Sequence, residues 1–186
     1  MKKIVAFIGS PRRNGNVSSI VNEVLRGAKE NKLETKVYYL NEMNIKGCQS
    51  CLYCREHEDC CIQDDMQEIY EDIKNAEYLI LGSPIYICQV SAQMKLLLDR
   101  FYPLTNKKHR PRFGIKKTVM VYSQAAPLSF IFKKYIRYNN KILKPMGIKT
   151  YKTIIATRSF TPEASKNNNK LMKKAYNIGK SLISTL

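Results

Sequence analysis

Five short runs of apolar, mostly β-branched residues punctuate the chain, and a helical pattern follows each of them except the second, where it is delayed by a polar stretch. The runs are Lys3–Ile8, Lys36–Leu40, Tyr78–Gly82, Thr118–Ser123 and Lys152–Thr157. Being nearly continuous rather than alternating, they read as parallel strands covered on both faces. Val17–Lys29 sets Ile20, Val21, Val24, Leu25 and Ala28 on one helical face. Asp64 and Asp65 are expected to cap a helix over Met66–Lys74 with Ile69 and Ile73 inward, and Ser91 to cap Ala92–Phe101 with Met94, Leu97, Leu98 and Phe101 buried. Leu128–Lys144 and Pro162–Thr185 read as the last two helices. Such an order of strands and helices implies a doubly wound parallel sheet, with right-handed crossovers and a ligand beyond the carboxyl ends of the strands. No repeat, low-complexity tract or linker interrupts the 186 residues, which suit one domain spanning 1–186 with a cysteine-rich insertion at 47–61.

The exit of the first strand reads GSPRRNGNVSS, Gly9–Ser19. Small residues here free backbone N–H groups to point inward, a helix begins at about Val17 or Ser18, and hydroxyls and two arginines stand nearby. Those are the parts of a phosphate site. The loop is not G-x-G-x-x-G, so a dinucleotide pyrophosphate on this helix is not expected, and it lacks the Lys-Ser/Thr of a triphosphate loop. GSPRRNGNVS resembles the G-S-P-R-x-x-G-N-[TS] signature of the NADPH-dependent FMN reductases, a branch of the flavodoxin-like superfamily. The third strand's exit, GSPIYICQVSAQMKLLLDR (Gly82–Arg100), is similar to a second stretch of that family. Beyond Gln124 the resemblance rests on the order of strands and helices alone.

The resemblance implies a flavodoxin-like five-stranded sheet in the order 2-1-3-4-5. It implies that Ser10, Arg12, Asn16, Val17 (through its backbone) and Ser18 hold an FMN phosphate. The isoalloxazine would lie against Pro84, Ile85, Tyr86 and Ile87, with Ser123 and Gln124 closing the other side. In such proteins the flavin carries the redox chemistry, so no catalytic acid, base or nucleophile is assigned. His57 and His109 have no recognisable partner and read as surface residues. Cys88, apart from the other thiols, reads as a small buried residue in the flavin loop.

Five of the six cysteines fall within 48–61, as Cys48-x2-Cys51-x2-Cys54-x5-Cys60 with Cys61 adjacent. Zinc sites usually pair two C-x2-C knuckles across a longer loop. Three cysteines at this close spacing instead wrap one segment around an iron–sulfur cubane, although no proline follows the last and its spacing is longer than in ferredoxins. The stretch resembles that of iron–sulfur flavoproteins, a subgroup of the same family. This implies Cys48, Cys51, Cys54 and Cys60 as ligands of a [4Fe–4S] cluster and Cys61 as a spare thiol. A vestigial or redox-active thiol set, and zinc, stay open beside it. Acidic residues around the motif (Glu56, Glu58, Asp59, Asp64 and Asp65) are expected to make an anionic cluster harder to reduce.

Charge is lopsided: residues 1–77 carry 11 basic and 13 acidic side chains, residues 78–186 carry 21 and 2. Lysine outnumbers arginine and no arginine–aromatic platform appears, which argues for a solvated surface and against nucleic acid. The basic half favours a phosphate-rich donor such as NADPH, or an acidic electron carrier such as ferredoxin. No run reaches the roughly 20 apolar residues of a membrane span. The apolar start ends at Gly9-Ser10-Pro11-Arg12-Arg13 without a cleavage site, so a cytoplasmic location is expected. The expected function is an NAD(P)H-dependent, FMN-dependent oxidoreductase serving a small acceptor or free flavin, and the resemblance implies a homodimer or homotetramer. One alternative is an iron–sulfur flavoprotein relay holding FMN and [4Fe–4S]. A more distant one is a zinc-containing basic nucleic-acid-binding module.

Overall fold

The computed structural model describes residues 2–183. Six strands form one sheet: β1 (Lys3–Ile8), β2 (Glu34–Tyr39), β3 (Tyr78–Tyr86), β4 (Gln89–Val90), β5 (Lys116–Ser123) and β6 (Ile148–Ala156). Five are parallel, in the order β2-β1-β3-β5-β6, and β4 is a two-residue ribbon antiparallel to the end of β3. Without that ribbon the order is the expected 2-1-3-4-5. The helices are α1 (Asn16–Lys29), α2 (Tyr53–Glu56), α3 (Met66–Asn75), α4 (Ala92–Asp99), α5 (Lys133–Ile142) and α6 (Asn169–Lys180).

Two-residue alternation along the strands divides the core into two layers. Ile4, Ala6, Ile8, Ile80 and Val121 face Ile20, Val21 and Val24 of α1 and Ala175 and Ile178 of α6. Val5, Phe7, Leu79, Leu81 and Met120 face Met66, Ile69 and Ile73 of α3, Met94 and Leu97 of α4, and Ile136 of α5. Helices α1 and α6 pack backbone against backbone: a Cβ on Gly27 would stand 2.0 Å from the Tyr176 carbonyl oxygen, and one on Gly179 would stand 1.9 Å from that of Val24.

Two expected helices are shorter than their patterns. Residues 128–132 are turns, and α5 starts at Lys133. Leu128, Phe130 and Ile131 are exposed, so the periodicity there reflects surface residues, while Gln124 Nε2 donates to the carbonyls of Ala126 and Leu128 and holds the segment as a loop. Residues 162–168 are also irregular; Asn168 caps α6 by accepting from the Leu171 N–H. Thr185, the expected end of that helix, lies outside the described residues. Strand β6 begins before the expected Lys152 because a bulge opposite Thr118/Val119 breaks its period. Gly27→Ala must separate two helices whose backbones touch. It is expected to cost about 1–3 kcal/mol, read as a lower denaturation midpoint without loss of secondary structure.

Candidate functional site

Strand β1 lies between β2 and β3, so successive crossovers leave it in opposite directions and a crevice opens at the carboxyl ends of β1 and β3. Gly9 follows β1 and donates its N–H to the Gly82 carbonyl at 2.8 Å. Arg12 and Gly15 form a tight turn, Gly15 N–H donating to Arg12 O at 3.1 Å, and Ser10 Oγ accepts from the Arg12 N–H at 3.2 Å. Gly15 is the N-cap of α1 and supplies no side chain to it, and no acidic residue occupies the first turn. The first N–H groups of α1 therefore keep their capacity and partial positive charge for a ligand.

A cavity of about 240 Å³ opens there, lined by Ser10, Arg12, Asn16, Val17, Pro84, Ile85, Tyr86, Ser123 and Gln124. Ala125, Ser159 and Phe160 complete it. Two of the eleven expected residues are not on this wall. Ser18 is buried and donates from Oγ to Arg12 O at 3.2 Å, shaping the loop from behind. Ile87 is 94% exposed, at the tip of the β3–β4 hairpin. The Asn16 side chain is fully engaged elsewhere, donating to Thr161 O and accepting from Ser165 N–H, both at 2.7 Å. What Asn16 offers at the helix end is its backbone N–H. Arg13 turns away to pair with Glu42 over the Tyr39 ring.

The cavity has the chemistry of a phosphorylated, ring-bearing ligand. One end has an uncapped helix N-terminus and Arg12; the other has Pro84, Ile85, Tyr86 and Phe160. Gln124 is 1% exposed, and its Oε1 has no hydrogen-bond partner although its amide N–H groups do. An orphaned acceptor on a cavity wall fits a ligand with a donor edge, as a flavin has. Ser159 and Phe160, missed in the sequence, follow β6. The rule that ligands sit beyond the carboxyl ends of the strands points to that segment, but no motif marks it.

Ile87 and Cys88 both have positive φ, 45° and 64°, in a two-residue hairpin turn that ordinarily takes Asn-Gly. A β-branched residue there is strained. Cys88 is exposed, not buried as expected.

The second site is the cysteine loop. Cys48, Cys51, Cys54 and Cys60 all line one cavity of about 130 Å³, closed by Asp99, Arg100, Tyr102 and Pro103 at the end of α4. Cys61 is not on its wall; its Sγ lies 3.5 Å from that of Cys51. Left-handed φ at Ser50 and Leu52 lets the chain curl around the cavity. Burial pushes the Cys54 thiol up. The Tyr53 backbone N–H, and then the Cys61 thiol, hold Cys51 below the usual thiol range. Among the described residues no three His, Cys, Asp or Glu side chains converge on a point where one ion would sit. A tetrahedral zinc needs its sulfurs about 3.8 Å apart, whereas four thiols around a shared cavity suit a cubane, each binding a different corner.

The acidic residues beside this loop do not act as the sequence suggested. Arg100 and Asp64 form a buried pair, 1% and 0% exposed, Nη1 to Oδ2 at 2.6 Å. Arg100 also donates to Lys46 O at 2.8 Å, while its Nε is buried without a partner. Glu56 pairs with Lys107 and Glu58 with Arg112. Cationic partners thus offset three of the five acidic residues expected around the motif, while Asp65 accepts from the Asn44 N–H. Burial pushes the Asp64 carboxyl up, but Arg100 and the backbone N–H groups of Lys46 and Met66 outweigh this and hold it below the usual range.

The sheet order and the open helix end at the switch point define a flavodoxin-like α/β protein. Residues 2–127 match the NADPH-dependent FMN reductase family, and the chain belongs to that family. Relatives include an iron–sulfur flavoprotein of Methanocaldococcus jannaschii, 41% identical over 102 residues, 55% of this chain and 53% of that protein. One from Methanosarcina thermophila is 36% identical over 117 residues, 63% of this chain and 59% of that protein. The chain spans about half the length of the curated relatives it matches. The fold is similar to that of an NAD(P)H:quinone oxidoreductase from Methanothermobacter marburgensis (TM-score 0.73, 17% identity, 98% of this chain and 96% of that one). It is also similar to an FMN-dependent NADH-azoreductase from Bacillus anthracis (TM-score 0.71, 10% identity, 98% and 99%). Among the described residues no helix is long and apolar enough to cross a membrane.

Arg100→Met leaves Asp64 buried without a partner and is expected to cost about 3–5 kcal/mol in denaturant unfolding; Arg100→Met with Asp64→Leu recovers most of it. Because the folded Asp64 carboxyl titrates below its unfolded value, its contribution is present above about pH 4 and is lost as pH falls further. That acid limb is expected to shrink in the double variant. Replacing Ile87-Cys88 by Asn-Gly relieves the strained turn and should stabilise the fold by about 1–2 kcal/mol, read by the same unfolding measurement.

Proposed function

We propose that the chain is an FMN-dependent oxidoreductase that passes electrons from NAD(P)H, through bound FMN, to a small acceptor or to free flavin. The observation that carries this reading is one cavity joining an uncapped helix N-terminus and Arg12 to a wall of Pro84, Ile85 and Tyr86 and to the unpartnered Gln124 Oε1. Ser10 and the N–H groups at the start of α1, with Arg12, hold the phosphate. Pro84, Ile85 and Tyr86 offer one face to the ring, with Ser123 and Gln124 at the other side. Bound FMN supplies the hydride and single-electron chemistry. The protein's part is to anchor, orient and partly dry that ring, and no side chain is assigned a proton. The basic second half supports NADPH as donor. The reading includes a single domain over 1–186, a cytoplasmic location, and a homodimer or homotetramer.

A second reading, an electron relay holding [4Fe–4S] beside FMN, is favoured by one observation: Cys48, Cys51, Cys54 and Cys60 share a cavity wall and Cys61 does not. Those four are the proposed ligands, and reduced ferredoxin is the electron donor of that reading. Anaerobic purification, an absorbance spectrum and iron and sulfide assays separate the readings. A yellow protein bleached near about 450 nm by NADPH is expected for the reductase. Iron at about four per chain with acid-labile sulfide, and reduction by ferredoxin only, marks the relay. A colourless, zinc-loaded protein that shifts DNA overturns both. Arg12→Ala removes a charge-assisted contact to the phosphate and is expected to raise the FMN dissociation constant by about 10- to 100-fold, measured by quenching of flavin fluorescence. An unchanged constant removes Arg12 from the site.

A further inference from the structure

The cysteine loop holds one thiol more than a four-iron cluster uses, and its place is distinctive. Cys61 is exposed and off the cavity wall, with its Sγ 3.5 Å from that of Cys51, itself exposed. The two sulfurs are within about 1.5 Å of a disulfide's bonded separation. Left-handed residues at Ser50 and Leu52 flank Cys51, and Cys61 lies in the bend that leads to Asp64. Both lie on the surface, so closing the gap needs no rearrangement of the core. Of the other three cavity cysteines, Cys54 is buried and Cys60 half-buried; Cys48 is exposed too, but the thiol in contact with that of Cys51 is Cys61's.

We infer that Cys51 and Cys61 form a reversible dithiol–disulfide couple, closed by a low-molecular-weight disulfide and opened by a thiol reductant. In the first step one cysteine thiolate attacks a sulfur of the small disulfide, whose S–S bond breaks and releases one small thiol. The second cysteine thiolate then attacks the protein sulfur of this mixed disulfide and expels the other small thiol. The protein loses two protons and two electrons; the reagent gains both as two thiols. The role of the couple rests on the proposed cluster reading: Cys51 serves either iron or Cys61, never both. The bridge therefore stores the cluster-free loop in a reversible form, shields these sulfurs from sulfinic and sulfonic oxidation, and blocks reloading until it is reduced.

The test uses the whole chain freed of iron by anaerobic chelation, reduced, desalted and exposed to oxidised glutathione. Intact mass and non-reducing peptide mapping follow. The expected product is lighter by two hydrogens, carries one bridge between residues 51 and 61, and reverts with dithiothreitol. Cys61→Ser, which lacks the resolving thiol, is expected to keep a glutathione on Cys51 instead. A lasting glutathione adduct on the unaltered chain, or a bridge joining another pair, overturns the proposal. In iron-loaded protein the bridge is expected only as iron is lost. A bridge that closes while iron is retained removes Cys51 from the ligand set, and so defeats that part of the cluster reading while the couple stands. Protein that never takes up iron defeats the cluster reading alone, and the bridge is then still expected.

Discussion

Gly9 donates to the Gly82 carbonyl and accepts from Ser91 Oγ at 2.6 Å, and where the loops at the carboxyl edge begin depends on this small knot. It brings together the exits of β1 and β3 and the N-cap of α4. A side chain at Gly9 would meet Met94 Cβ at 2.8 Å, and one at Gly82 would meet Val17 Cγ1 and Val21 Cγ2 at the same distance. The absence of side chains lets α1 and α4 approach the sheet closely enough for two helices to start at one crevice. The same Ser91 Oγ accepts from the Met94 N–H, so a single hydroxyl ties the phosphate loop to the start of α4. The phosphate-loop signature and the G-S-P stretch are thus one device seen twice in the sequence.

Helix α4 extends this device to the cysteine loop. Ser91 caps its beginning against Gly9, and Arg100 follows its last turn and reaches across to Asp64 and the Lys46 carbonyl. Nine residues of rise separate these two ties, about 13 Å. The two cavities therefore sit at opposite ends of one short, anchored rod. Asp64 serves both ends of its own connection, accepting from the Met66 N–H at the start of α3 and from the Lys46 N–H in the cysteine segment. Loss of the ion pair would release the loop at the point where its thiols converge.

The strands, both loop motifs and the inward faces of α1, α3 and α4 were legible because each follows from local periodicity or from a motif whose residues have local jobs. The limits of that reading fall where a distant side chain decides the backbone. Residues 128–132 carry a helix-like apolar pattern but are held by Gln124, and residues 162–168 are held by Asn16, reaching from α1 to Thr161 and Ser165. Asn16 lines the cavity where its motif position puts it, but what occupies its side chain, a partner about 150 residues away, is not visible in the sequence. Ser159 and Phe160 were missed for the same reason, since only the closed sheet brings the end of β6 beside β1. Ile87 was included because it continues a motif, yet the hairpin turns it into solvent.

The charge asymmetry takes on a structural meaning once the cysteine loop is docked. Asp64, Glu56 and Glu58 from the acidic half meet Arg100, Lys107 and Arg112 from the basic half, all along one seam. Arg112 also donates to the carbonyls of Pro103, Cys54 and Thr105, and Arg55 to those of Asn106 and Tyr102. Exposed pairs such as Glu56–Lys107 contribute little to stability, so the seam depends on Arg100–Asp64 and on arginines bonded to backbone carbonyls. Those bonds have a particular consequence. A carbonyl accepts from an arginine without cancelling its charge, so Arg55 and much of Arg112 leave positive potential against the wall that carries Cys54. At Cys54 the Arg55 charge favours the thiolate, although burial outweighs it and leaves the thiol above its usual range. The seam that fixes the loop in place therefore also moderates, through Arg55, the cost of burying the Cys54 sulfur.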